Sequence, residues 1–163
     1  MSPPAIRIRA AAADEMPLVL AFIRELAAYE HLEHAVRANQ ADLAAALGGE
    51  RPYAEVLFGC LEGTPVGFAL FFHNFSTFLG KPGIYLEDLF VRPAARGHGV
   101  GKALLAHLAR LALARGCPRL DWAVLDWNAP SIEFYRRLGA QPLKEWQLYR
   151  LTGPALETLA ARQ

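Results

Sequence analysis

The apolar positions change period along the chain, and each change marks an element. "AIRIRA" (Ala5 to Ala10) alternates in steps of two, which predicts a short strand. Leu18, Phe22, Leu26 and Tyr29 then recur at steps of three and four. With Asp14, Glu15 and Pro17 at its start, that stretch predicts a helix. "NQADLAAAL" (Asn39 to Leu47) predicts a shorter helix, capped by Asn39 and stopped by Gly48 and Gly49. "AEVLFGCLE" and "VGFALFFHNF" are apolar runs joined by Gly63, Thr64 and Pro65, a hairpin signal. "IYLEDLFV" (Ile84 to Val91) predicts another strand, broken by Pro93. Val100, Leu104, Leu108 and Leu111 share one face of a long helix that stops at "RGCP" (Arg115 to Pro118). Beyond it the pattern predicts a strand over Leu120 to Leu125 and a helix over Ala129 to Gly139. A last strand over Glu145 to Leu151 and a short tail helix after Pro154 complete the expectation.

That order mixes antiparallel and parallel segments, which points to an α/β (α+β) layer fold. The chain has 163 residues, a length that suits one domain, and 53% of them are hydrophobic, enough to build a core. A net charge of +1 gives no footprint for nucleic acid or a membrane surface. The longest apolar run, Met16 to Ile23, is too short to span a bilayer, and no apolar signal-peptide core precedes Asp14. A cytoplasmic protein is expected. Cys60 and Cys117 fit no metal spacing and read as reduced thiols, the alternative being a lone disulfide that a chain of this size does not need, and the five histidines show no ligand pattern, so no metal is expected.

The chemistry concentrates in "RPAARGHGVGKALL" (Arg92 to Leu105). It follows a strand and opens a helix. Glycines let backbone N–H groups approach an anion closely, and Arg96 and Lys102 supply charge for the same partner. A Walker loop fails here, because Arg96 stands where its first glycine belongs and Ala103 follows Lys102. A dinucleotide fingerprint fails too, because Leu104 or Lys102 falls where the third glycine belongs. What stands is Arg96, Gly97, His98, Gly99, Val100 and Gly101 leading to Lys102, either an anion loop or a connector that binds nothing. Three alternating glycines with two cations favour the loop.

In that form "RGHGVG" resembles the pyrophosphate loop of the Gcn5-related N-acetyltransferases (GNAT). "IRELAAYE", "IYLEDLFV" and "LDWNAPSIEFYRRLGA" resemble the diamine acetyltransferase branch, the spermidine/spermine and thialysine type, and the likeness runs from about Ile6 to Leu151. The resemblance implies a GNAT fold, a central mixed sheet splayed in its middle, with acetyl-CoA as cosubstrate and a homodimer. It implies coenzyme contacts at Leu89, Phe90 and Val91, the loop from Arg96 to Lys102, Asn128, Ser131 and Tyr135. It implies Tyr29, Glu30 and Glu87 around the amine.

Acyl transfer from a thioester needs a neutral amine, and a free alkyl amine has a pKa of about 10.4. Glu87 lies on the strand before the loop and is the candidate base, acting through water; the bland alternative is a carboxylate paired with an arginine. Strict alternation puts Asp88 on the opposite face. Tyr135 is the candidate acid for the departing thiolate, the alternative being a packed aromatic beside Phe134. The resemblance puts an oxyanion site at the backbone of Leu89 to Val91. Asn128 and Ser131 also suit an ordinary helix start. Ser76 stands where polyamine-specific relatives carry an acid, which leans toward small lysine-like amines. The expected activity is acetyl transfer to a small primary amine. The rival readings are a protein amine as acceptor and a non-catalytic acyl-CoA-binding module.

Overall fold

The computed structural model describes residues 4–162. The chain divides into two compact units, one up to Ala123 and one from Val124 onward.

The first unit is built on a five-stranded sheet in sequence order: β1 (Ile6–Ala10), β2 (Glu55–Leu61), β3 (Thr64–Ser76), β4 (Lys81–Val91) and β5 (Leu120–Trp122). Neighbours run antiparallel from β1 to β4, and β5 lies parallel to β4. The helices are α1 (Met16–Tyr29), α2 (Gln40–Leu47) and α3 (Val100–Ala114). α2 begins as its sequence predicts: the Asn39 side chain accepts from Asp42 N at 3.0 Å, and the Asp42 carboxylate accepts from Asn39 N at 3.1 Å. The turn between β2 and β3 is tight, with positive φ at both Glu62 and Gly63.

α1 lays Val19, Phe22 and Leu26 onto Phe58 of β2, Phe68 of β3 and Phe90 of β4. The Phe22 ring lies 5.3 Å from Phe68 and 5.8 Å from Phe58, in the range where aromatic pairs add to simple burial. α3 packs through Val100, Leu104, Leu105 and Leu108, all buried. Its first turn presses on Gly59 of β2: a Cβ there would stand 2.6 Å from Val100 Cγ1 and 3.2 Å from Leu104 Cδ1. Gly59 therefore sets how closely the start of α3 meets the sheet. The connector before α3 is tied down by Arg92, whose Nη2 donates to Glu25 Oε1 at 2.8 Å while the guanidinium covers the Phe22 ring at 4.5 Å.

The second unit holds α4 (Ala129–Arg137) and α5 (Gly153–Ala160). Pro154 sits in the first turn of α5, as expected of a helix start. The expected strand over Glu145 to Leu151 is not formed; those residues are irregular and exposed. Their alternation suits a strand, but a strand needs a ladder, and no partner strand pairs with them among the described residues. The strand predicted over Leu120 to Leu125 ends at Trp122, and β4 starts at Lys81 because the hairpin continues pairing down to Ser76.

Gly59→Ala is expected to lower stability by about 1–3 kcal/mol through overpacking against the stiff Val100 side chain. Urea unfolding measures it. Adding Val100→Ala should recover part of the loss, giving a non-additive double-mutant cycle; strictly additive losses would show that the contact does not seat α3.

Candidate functional site

β4 and β5 pair only over Ile84, Leu86 and the residue between them, whereas β4 runs on to Val91. Residues 87–91 therefore have no neighbouring strand on the β5 side among the described residues. An open strand edge presents backbone N–H and C=O groups to an incoming partner. This fork is the splay that the resemblance implies, and it opens at Glu87.

The ladder explains why it opens there. Leu70 pairs with Asp88 and Phe71 with Leu86, which leaves Glu87 as an extra residue on β4, a bulge. The expectation that strict alternation separates Glu87 from Asp88 does not hold through it. Glu87 is exposed, and no ion pair holds it among the described residues. Asp88 is half-buried beside it. Burial, then the like charges of Glu87 and Glu30, push the Asp88 carboxyl up to about 7 from its ordinary 3.8. Burial also raises Glu30, which caps the end of α1. Tyr85 is raised by burial and by the carboxylates of Glu87 and Asp121. The first unit thus gathers Glu30, Glu87 and Asp88 into one electronegative locality. An ammonium group would relieve its mutual repulsion.

The glycine loop has the geometry an anion needs. Gly97 and Gly99 take φ of 82° and 90°, a region that other residues enter at a cost. Gly99 is the N-cap of α3 and offers no side-chain acceptor to the first helical amides. The residues present therefore fit a phosphate acceptor from outside the chain. Lys102 is exposed at the helix start. His98 turns back, with Nδ1 3.1 Å from the Arg96 carbonyl. Val100 and Phe90 are core side chains, so their part in any coenzyme contact falls to the backbone. Arg96 does not point along the loop. Its Nε donates to Val91 O at 2.9 Å, and its guanidinium lies 4.8 Å from the Tyr29 ring centre and 5.6 Å from that of Phe90.

In the second unit, Asn128 is buried and caps α4, with Oδ1 accepting from Ser131 N at 3.3 Å. Tyr135 is half-buried on the same helix, its ring 5.5 Å from Phe134. Ser76 is buried, and its hydroxyl accepts from Leu79 N at 3.2 Å, so it shapes the β3–β4 turn.

The profile of the acetyltransferase (GNAT) family matches residues 19–140, from α1 through the loop to the end of α4. The chain belongs to that family. Its sequence is 37% identical to the thialysine N-epsilon-acetyltransferase of Bos taurus, over 96% of this chain and 98% of that one. It is 33% identical to an L-ornithine N5-acetyltransferase of Arabidopsis thaliana, over 94% of this chain and 87% of the relative. Among solved structures, an integron cassette protein from the mobile metagenome of V. cholerae superposes with a TM-score of 0.80 at 31% identity, covering 96% of this chain and 98% of that one. This GNAT chain is an N-acetyltransferase, and its kinship matches the diamine acetyltransferase resemblance seen in the motifs. Among the described residues, no helix is long and apolar enough to cross a membrane, and no group of three His, Cys, Asp or Glu could hold a metal.

Sequence reasoning missed two features around these candidate residues. One is the Asp88 environment, which depends on a bulge. The other is the stacking of Arg96, which joins segments far apart in the chain.

The raised Asp88 carboxyl has a pH consequence. From about pH 4 to about pH 7 the unfolded chain releases this proton while the folded chain keeps it, so stability falls as pH rises through that window and levels off above it. Asp88→Asn should remove that fall. Denaturant midpoints of both proteins at the two ends of the window check it, and equal slopes would count against a buried, proton-holding Asp88.

Proposed function

We propose that this chain transfers the acetyl group of acetyl-CoA to the primary amine of a small molecule, a lysine-like amine or a diamine, in a single direct attack. The observation that carries the reading is the bulge. It holds a carboxylate that has no ion-pair partner among the described residues at the fork, immediately before the open backbone of Leu89 to Val91 and the loop that follows. The relatives named for thialysine and L-ornithine support a small amine with a second charged group.

In this reading Glu30 attracts the amine as its ammonium, and Tyr29 flanks it. Glu87 takes the proton through water, which the high pKa of an alkyl amine, about 10.4, makes necessary. Acetyl-CoA supplies the activated carbonyl when bound. Backbone N–H groups of residues 89–91 steady the charge that develops on the carbonyl oxygen. As the C–N bond forms and the C–S bond breaks, the Tyr135 hydroxyl donates its proton to sulfur. A phenol of pKa about 10 facing a thiol of about 8.5 is a weak donor, so the step depends on holding Tyr135 in place. The amides at the start of α3, with Gly97 and Gly99, hold the pyrophosphate, and Lys102 adds charge. Asn128 and Ser131 add coenzyme contacts from α4.

A homodimer belongs to the same proposal. Trp146, Leu148 and Tyr149 are 73%, 81% and 84% exposed, a run of apolar surface that a second copy would cover.

The test is thiol release from acetyl-CoA with thialysine, lysine, ornithine, putrescine, spermidine and a short peptide. A preference for one of the small amines is expected, and transfer to the peptide alone would move the reading to a protein acceptor. Tyr135→Phe should lower kcat by about 10²- to 10⁴-fold while coenzyme still binds. An unchanged rate would remove Tyr135 from the chemistry.

A further inference from the structure

Arg96 leads the glycine loop, and charge alone would assign it to phosphate. Its geometry is different. Nε is fixed on the carbonyl of Val91, the last residue of β4, at 2.9 Å. With that bond made, the guanidinium carbon lies over the Tyr29 and Phe90 rings, at 4.8 Å and 5.6 Å from their centres. The two rings themselves lie 6.3 Å apart, inclined at 53°. Phe90 is anchored in the core and Arg96 is tethered to β4, so each is a fixed neighbour of the Tyr29 ring. Tyr29 is the last residue of α1 and packs against the core cluster.

We propose that Arg96 is a positioning residue for the amine site: it holds Tyr29 in place from the phosphate loop, so that the loop and the acceptor end of α1 act as one piece. The inference rests on the acetyltransferase reading above and extends it. A planar guanidinium suits this role better than an ammonium does. It stacks on a ring face and donates from Nε in a fixed direction. The consequence is a coupling that the motif does not contain. A shift of the loop on coenzyme binding reaches the amine site through the Arg96 side chain.

Three variants test it: Arg96→Met, Arg96→Lys and Tyr29→Leu, with the Arg96→Met/Tyr29→Leu double. For each, coenzyme affinity is measured by calorimetry, and kcat and the KM for the best amine by thiol release. Arg96→Met should raise the amine KM by about three- to tenfold while coenzyme affinity and its salt dependence stay as in the parent. Tyr29→Leu should do the same, and the double variant should be no worse than the poorer single. Arg96→Lys keeps the charge and should rescue little. The proposal is overturned if coenzyme affinity falls while the amine KM holds, if lysine restores the parent, or if the two KM effects multiply. A parent with no turnover on any amine would overturn the acetyltransferase reading itself and this inference with it. The other adverse outcomes leave that reading standing.

Discussion

The first turn of α3 lies where β2 has no side chain. Val100 occupies the space that a Cβ of Gly59 would need, and the start of α3 with the loop before it is placed relative to that contact. With Val100 seated, Leu104 and Leu108 follow it into the core, and the helix axis is fixed. The loop between β4 and α3 then has two fixed ends and little length, so the positive φ values of Gly97 and Gly99 close the gap. The Arg92–Glu25 pair adds direction to the connector. Both side chains are about a third exposed, so it is worth of order 1 kcal/mol or less as an ion pair. Burying one large apolar side chain is worth about 1.5–3 kcal/mol. Packing therefore sets the loop, and the ion pair refines it.

The fork in the sheet is the second constraint. A continuous ladder would be more stable, since β4 residues beyond Leu86 would gain a partner. The bulge at Glu87 instead bends the strand where pairing stops. Three carboxyls gather at or near that point, and their repulsion is partly relieved by Asp88 keeping its proton. Such an arrangement is poor for stability and suited to receiving a cation. Local disagreement with the rules of a stable fold is where function is expected to lie.

Local signals carried most of the fold. The α2 cap, the Gly116 stop of α3 and the β2–β3 hairpin each follow from a few neighbouring residues, and each formed. The failures share another cause. β5 ends early and residues 145–151 form no strand because strand length depends on what lies alongside, which alternation does not report. The bulge at Glu87 was hidden for the same reason: it is a property of two strands in register. The glycine loop was legible because backbone conformation leaves a residue signature. The surroundings of Asp88 and Arg96 were not, because they join α1 to β4 and its following loop across some sixty residues of chain.

This difference bears on how the motif residues divide their work. Phe90 and Val100 fall within the stretch where the resemblance implies coenzyme contacts, yet both side chains are core. Asn128 and Ser76 are polar positions in motif segments, and both organise local turns, one capping α4 and the other closing the β3–β4 hairpin. Main-chain groups are what a glycine loop at a helix start offers to an anion. That leaves side chains at the same positions available for packing, and it explains how one short segment can build the core and face the site together. Residue type alone would have assigned Arg96 to phosphate. Its bond to Val91 and its two aromatic neighbours turn it instead toward the end of α1.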